Sequence, residues 1–336
     1  MTVIAIDGSK YTLPATKELC EHFDPETGLE NPGKGHFPQS LVSTAYDVFR
    51  RIPVARTVMP MATSERQEAI KMVPMLPPGL LLFDRGYPSY GFLLFLLKNY
   101  AGHFLFRCPA KQTFPALQRM LATPRKDQVI RLSPSAKYAA TVPPSERRKL
   151  QPIEIRAVVT TGPEGQTYVY LTDLLDKEAF PRAELSELYR RRWEVENHYR
   201  DEKVSLEVEA FHSRSPDGIR QELFAAAIMT VIARVFMVLS RKHKPRTETS
   251  RSHPGRKPRT RPEPQFKNAI KTIARDLAAL AADNAQRGID TLTEALADIW
   301  RIKYHRPTRR RPSQPRVTKH NKNKWIKNRG AEMKST

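Results

Sequence analysis

Cysteine is scarce in this chain of 336 residues, which contains only Cys20 and Cys108. Two isolated cysteines are typical of a protein kept in a reducing compartment. No group of cysteine and histidine residues has the spacing of a zinc site. The cysteine content therefore favours a cytosolic protein and argues against a zinc centre.

Export signals are also missing. The first seven residues lack a basic region and reach Asp7 too soon for a signal peptide. The apolar run at 223–239 has only 17 residues and contains Arg234. This length and charge favour a buried core helix over a membrane span. We therefore expect a cytoplasmic protein with no membrane segment.

Acidic residues are few, with 35 Asp and Glu against 57 Lys and Arg, and the formal net charge is +22. Residues 241–264 carry +7 and residues 301–336 carry +12, which leaves only about +3 elsewhere. Both segments are rich in proline and poor in aromatic residues, so we expect flexible arms. They are either solubilising segments or nonspecific contacts for DNA phosphates.

Two short apolar runs each end on an aspartate. Residues 3–6 precede Asp7, and residues 80–83 precede Asp84. Runs of this kind predict strands buried on both faces of a sheet, whose carboxyl ends bind ligands. Each aspartate taken alone is also explained as a turn residue or a helix cap.

A third carboxylate lies in a charged segment with helical spacing. Tyr189, Arg192, Glu196 and Lys203 follow the pattern Tyr-x2-Arg-x3-Glu-x6-Lys. On a helix these side chains share one stripe, in which Glu196 is the only acid. The alternative interpretation is an ordinary solvated face. Together with the two strand-end aspartates, Glu196 predicts a site for two hard divalent cations such as Mg²⁺.

Two further residues of this segment are candidates for DNA contact. Arg200 falls inside the same helical stripe, whereas Trp193 lies at its edge. The Trp193 indole either stacks on a displaced base or anchors the core.

These segments resemble the DDE transposases of bacterial insertion sequences, specifically family four. The resemblance rests on the segments 5–9 and 84–87, on the Glu65-Arg66 pair, and on the complete signature of Tyr189, Arg192, Glu196 and Lys203. It covers about residues 1–240. It implies an α/β fold of the RNase H-like class, with a mixed sheet flanked by helices and a β-rich subdomain inserted between the second and third acids.

The resemblance also implies the chemistry. Asp7, Asp84 and Glu196 are expected to form the catalytic metal triad and to hold two Mg²⁺ ions, with Mn²⁺ as a substitute. Tyr189, Arg192 and Lys203 are expected to bind DNA phosphates. Apart from the resemblance, we predict Arg85, Arg200 and Trp193 as further DNA contacts. The expected function is DNA transposition in a bacterial, nucleoid-associated protein that forms a homodimer on DNA. A nuclease without transfer activity and an inactive DNA-binding remnant stay open as alternatives.

Family members carry an amino-terminal DNA-binding domain before the first aspartate. Here that aspartate is residue 7, so we expect the chain to lack this domain. The expected organisation is listed by range: 1–101 and 179–240 for the catalytic core, 102–178 for the inserted subdomain, 241–264 for a basic linker, 265–302 for a helical segment and 303–336 for a disordered basic tail. One uninterrupted signature helix is expected from near Pro181 to about Val208.

Overall fold

The structure is a computed structural model that describes residues 2–25, 37–110, 114–162, 165–242, 262–281 and 285–305. It divides into two compact units. The first comprises Met1–Asp24 and Pro38–Val235, and the second takes in the described residues of Pro25–Phe37 and Phe236–Thr336.

The first unit is built on one sheet of eight strands. These are β1 (Val3–Thr12), β2 (Gln39–Asp47), β3 (Ile52–Pro60), β4 (Leu80–Phe83), β5 (His103–Cys108), β6 (Asp127–Leu132), β7 (Ile153–Thr161) and β8 (Thr167–Thr172). Their order in the sheet is β3-β2-β1-β4-β5-β8-β7-β6. The first three strands are antiparallel, whereas β4 and β5 run parallel to β1. The prediction of a mixed sheet is confirmed.

The strands between the second and third acids do not form a sheet of their own. Strand β8 pairs antiparallel with β5, and β7 and β6 follow it in the same sheet. The partners are distant in sequence, so the strand pattern alone could not show which sheet they join. The residues between Asp84 and Glu196 therefore widen the core sheet, and β5 at the start of this stretch is one of its central strands.

Helices cover both faces of this sheet. They are α1 (Lys17–Phe23), α2 (Glu65–Met72), α3 (Tyr90–Asn99), α4 (Pro115–Leu121), α5 (Ala136–Thr141), α6 (Pro144–Arg147), α7 (Arg182–Arg190), α8 (Trp193–Arg200) and α9 (Pro216–Ser240). The apolar side chains of α2, α3 and α4 form a core with one face, and those of α1, α7, α8 and α9 form a second core with the other. All four residues of β4 are buried, as expected for a strand between two cores.

Among the described residues, α9 alone is long and apolar enough to cross a membrane by length and composition. Its residues Ile219 and Leu223 are fully buried and belong to the same core as β1. The helix therefore takes part in the core of the first unit.

The second unit contains two helices and two short strands in its described part. They are β9 (Pro262–Pro264), α10 (Phe266–Leu280), α11 (Ala285–Arg301) and β10 (Lys303–His305). Strand β10 pairs antiparallel with β9, so Lys303–His305 is ordered chain at the start of the expected tail. Most of the expected linker, at 243–261, and the rest of the tail, at 306–336, lie outside the described residues, as do residues 26–36.

Candidate active site

The two aspartates lie side by side because β1 and β4 are parallel neighbours. The last pair in their register is Ile6 with Phe83, and Asp7 and Asp84 are the residues that follow. Side chains alternate along a strand, so Asp7 faces the same side as Val3 and Ala5, which pack in the core with α7 and α8. The strand register thus directs Asp7 towards the helical segment that carries Glu196.

Arg192 joins two of the three acids. Its guanidinium donates to Asp7 Oδ2 at 3.1 Å and to Glu196 Oε1 at 3.3 Å. Arg192 is only 5% exposed, and Asp7 is buried as well. One buried cation therefore bridges the strand carboxylate and the helix carboxylate.

Tyr189 contacts the third acid. Its hydroxyl group donates to Asp84 Oδ1 at 3.4 Å and to the carbonyl oxygen of Phe83 at 3.3 Å. Burial raises the pKa of Tyr189 well above its ordinary value, so the phenol stays neutral and can donate. Tyr189 and Arg192, one turn apart, thus bind all three predicted acids.

Asp7 is held in an unfavourable electrostatic environment. Burial raises its pKa to about 7, and the nearby carboxylates of Glu196, Glu65 and Asp84 add to the rise, whereas Arg192 opposes it. The cost of burial lowers the pKa of Arg192, but Tyr189 and the acids around it outweigh that cost and leave it raised. The site therefore holds more negative charge than its arginine neutralises.

The acids are not arranged as a formed metal site. Within the described ranges, no three His, Cys, Asp or Glu side chains have the spacing to hold a metal ion. Arg192 explains this, since its guanidinium lies between Asp7 and Glu196. The oxygen-only donor set, with its excess negative charge, nevertheless fits a hard divalent cation once Arg192 releases the acids.

Lys203 contacts β1 beyond Asp7. Its ammonium group donates to Ser9 Oγ at 3.0 Å and to the carbonyl oxygen of Lys10, and it lies 4.5 Å from the centre of the Tyr11 ring. The lysine, which belongs to the π-helical segment Asp201–Ser205, therefore contacts residues two to four positions beyond Asp7 on β1.

The prediction of one uninterrupted helix was wrong. Helix α7 ends at Arg190, α8 begins at Trp193, and a π-helical segment follows at Asp201–Ser205. At the junction, Arg192 N–H donates to the Tyr189 carbonyl group three residues back, which tightens the chain. The prediction assumed a rotation of 100° per residue, which holds for a regular α-helix. It fails here because a tightened turn at Arg192 is followed by a wider π-helical segment.

A buried polar cluster lies beneath the π-helical segment. Glu202 accepts from Arg56 at 2.7 Å and from the Tyr11 hydroxyl group at 2.5 Å, and none of the Glu202 side chain is exposed. His198 lies beside them, and burial together with Arg56 and Arg234 lowers its pKa well below the ordinary value. The cluster ties the helical segment to β1 and β3, so it fixes the segment that carries Glu196 and Lys203.

Comparison with known proteins identifies the family. Residues 1–232 match the family described as the transposase DDE domain. The chain belongs to this family. This chain is 25% identical over 250 residues to the transposase InsG of insertion sequence element IS4 from Escherichia coli, covering 72% of this chain and 54% of the relative.

Two further similarities are weaker. A putative transposase of Sinorhizobium fredii, y4zB, is 26% identical over 161 residues, covering 48% of this chain and 43% of the relative. The chain thus spans about half the length of the curated relatives it matches. The solved synaptic complex of piggyBac transposase with hairpin DNA aligns over 87% of this chain and 57% of its own, at 11% identity and a TM-score of 0.46.

The remaining predicted DNA contacts of the DDE domain are on its surface. Arg85 and Arg200 are exposed, and Arg200 donates to Asn197 at 2.6 Å. Trp193 is 53% exposed, with the Arg192 guanidinium 5.8 Å from its ring centre. This exposure rules out the alternative that Trp193 anchors the core.

Sequence reasoning missed one acid of this region as a site residue. Glu65 opens α2 on the other face of the sheet, and its charge contributes to the raised pKa of Asp7. The only signals in the sequence were the small residue Gly8 beside Asp7 and the Glu65-Arg66 pair of the family resemblance. Neither signal indicates that Glu65 lies near the site, because 58 residues separate it from Asp7.

Proposed function

We propose that this DDE domain cleaves phosphodiester bonds at transposon ends and joins the released 3′-hydroxyl group to target DNA. The observation that carries the proposal is the meeting of Asp7 and Glu196 on the Arg192 guanidinium, next to the strand end that bears Asp84. Family membership supports the same assignment.

Asp7, Asp84 and Glu196 would hold the divalent metal that DDE enzymes use. We propose Mg²⁺, as two ions, with Mn²⁺ as a substitute, because the candidate ligands are all carboxylate oxygens. Metal ions bound there would activate the attacking oxygen and stabilise the leaving one. Both proposed steps are displacements at phosphorus, so one set of acids serves cleavage and transfer.

The side chains around the acids have separate tasks in this proposal. Tyr189 orients Asp84 through its neutral hydroxyl group. Arg192 neutralises Asp7 and Glu196 in the metal-free protein, and it would be free to bind the scissile phosphate where metal held these acids instead. Lys203 holds the DNA strand beside β1, and the exposed Arg85, Arg200 and Trp193 contact the DNA farther out.

DNA is the proposed partner, bound by a homodimer. The basic segments at 241–264 and 303–336 would add nonspecific phosphate contacts, because most of the net charge of the chain lies in them or next to them. The proposed catalytic core comprises 1–101 and 179–240 together with strand β5, and the later strands of 102–178 widen its sheet. A cytoplasmic location at the nucleoid follows from a DNA substrate.

The test uses the 336-residue chain and labelled duplexes copied from the DNA that flanks its gene. With Mg²⁺ or Mn²⁺, the wild-type chain should nick these duplexes at the element ends and join the cut ends to a plasmid. Asp84→Asn should abolish both reactions and leave DNA binding nearly intact, because it removes a metal-ligand charge and no phosphate contact. Asp217→Asn, an exposed change at the start of α9, is the control.

The outcomes distinguish the three candidate functions: transposase, nuclease and inactive remnant. Cleavage without joining would identify a nuclease, and binding without cleavage under either metal would identify an inactive remnant. Undiminished nicking by Asp84→Asn would assign the activity to another site and overturn the proposal.

A further inference from the structure

Glu65 approaches the site from the face of the sheet opposite Glu196. It is the first residue of α2, whose residues Ala69 and Met72 pack in the core with Ile4 and Ile6. Glu196 instead belongs to α8, whose core residues pack on the other face. The two acids therefore come from opposite faces of the sheet.

Gly8 creates the opening through which Glu65 reaches the strand. A Cβ atom on Gly8 would lie 2.6 Å from Glu65 Cδ, a separation that real side chains do not reach. The Glu65 carboxyl group therefore occupies the space where a side chain next to Asp7 would lie. The register of β1 with β4 ends at Ile6 and Phe83, so no strand pairing with β4 covers Gly8.

The first two residues of α2 also hold the loop that follows Asp84. The Tyr87 hydroxyl group donates to Glu65 Oε2 at 3.2 Å, and Arg66 donates to the Gly86 carbonyl group at 2.7 Å. Tyr87 is buried, so this contact fixes the Glu65 carboxylate between the two aspartate-bearing segments.

Glu65 has no ion-pair partner among the described residues, although it lies close enough to Asp7 to repel it. The arginine of the site is already shared by Asp7 and Glu196. A carboxylate kept in an acidic region without a counter-cation favours the binding of a metal ion there.

We propose that Glu65 supplies a fourth carboxylate to the metal site, reaching it past Gly8. This inference rests on the proposed function, since it assumes that Asp7 and Asp84 bind the same metal. The competing role for Glu65 is purely structural: it would only hold Tyr87 and the loop that follows Asp84.

The experiment is a Mn²⁺ titration of the metal-free full chain, with free Mn²⁺ measured by electron paramagnetic resonance. Glu65→Gln removes the charge but keeps a carbonyl oxygen that accepts from Tyr87. We expect its Mn²⁺ affinity to fall about tenfold or more. Glu68→Gln is the matched control, because Glu68 lies one turn along α2, is buried, and pairs with Lys71. The Mn²⁺ affinity of Glu68→Gln should stay within about twofold of wild type, well short of the loss expected when a metal ligand is changed.

Two more variants distinguish metal binding by Glu65 from its competing structural role. Gly8→Ala should displace the Glu65 carboxylate and lower the affinity as Glu65→Gln does, whereas Tyr87→Phe should change it little. Wild-type affinity in Glu65→Gln, or an equal loss in Tyr87→Phe, overturns the inference. Thermal unfolding of each variant checks that the fold is intact.

Asp84→Asn separates this inference from the proposed function. If Asp84→Asn loses Mn²⁺ affinity and Glu65→Gln does not, only the role of Glu65 fails. If Asp84→Asn also binds Mn²⁺ like the wild type, the proposed metal site fails as a whole.

Discussion

Arg192 donates to Asp7 Oδ2 at 3.1 Å across 185 residues of chain. Asp7 nevertheless keeps a pKa raised to about 7, because burial and the neighbouring acids outweigh this one cation. The ionised carboxylate therefore destabilises the metal-free fold, and the same charge is what a bound cation would neutralise.

Asp7→Asn should raise the stability of the metal-free protein at pH 8. The folded protein binds the Asp7 proton more tightly than the unfolded chain, so stability is lost as pH rises from about 4 to about 7. We expect the melting temperature of the variant to exceed that of wild type by at least about 2 °C at pH 8, with the difference gone at pH 4. Differential scanning calorimetry in EDTA measures it, with the exposed Glu18→Gln as control. A difference in melting temperature that does not depend on pH would contradict the raised pKa of Asp7.

Arg192→Ala should destabilise the metal-free protein far more than Arg191→Ala. Arg192 is a buried partner of two acids, and removing such a partner typically costs about 3–5 kcal/mol. Arg191 is exposed, near the Phe49 ring, so its loss should cost no more than about 0.5 kcal/mol. Urea unfolding at pH 8 measures both variants, and Mg²⁺ should recover part of the loss in Arg192→Ala.

The variants Arg191→Ala and Arg192→Ala also test whether Arg192 holds the DNA end. Arg192→Ala should weaken binding to a precut transposon end more than binding to a random duplex, and Arg191→Ala should affect both slightly and alike. Both arginines carry the same charge, so net charge cannot produce this difference. Equal weakening of end binding by the two variants would show that Arg192 has no specific role in holding the end.

Glu202→Ala should destabilise the first unit by about 3–5 kcal/mol, because it leaves the buried Arg56 guanidinium without its carboxylate. Urea unfolding followed by circular dichroism measures this loss. Glu187→Ala, which removes an exposed carboxylate from α7, should change stability by no more than about 0.5 kcal/mol. Similar values for the two variants would mean that the polar cluster does not hold the helical segment.

Deletion of residues 306–336 should weaken DNA binding and reduce its dependence on salt. This segment carries +10 and begins after β10, so the deletion leaves the β9–β10 pair intact. Each lost phosphate contact should reduce the slope of log K against log salt by about 0.9 on duplex DNA. Fluorescence anisotropy between 50 and 300 mM salt, roughly the range in which such contacts dominate, measures the slope. An unchanged slope would identify the segment as a solubilising tail.

The sequence predicted the local elements better than their partners. Strand β4 has the predicted bounds, because it is a short apolar run between turn residues. The common sheet of β5 and β8 was not predictable, since pairing over this distance leaves no local pattern. The helical wheel grouped Arg192 with Glu196, but it could not show that Arg192 also reaches Asp7. Glu65 was missed for the same reason, because another helix brings it to the site.

The late position of Glu196 in the chain affects synthesis as well as geometry. A ribosome has translated both aspartates and all eight strands of the sheet before it reaches the codon for Glu196. A nascent chain that stops just before that codon contains all eight strands but lacks the third proposed metal ligand. Premature termination anywhere before that codon would therefore release a product that lacks one of the three proposed metal ligands.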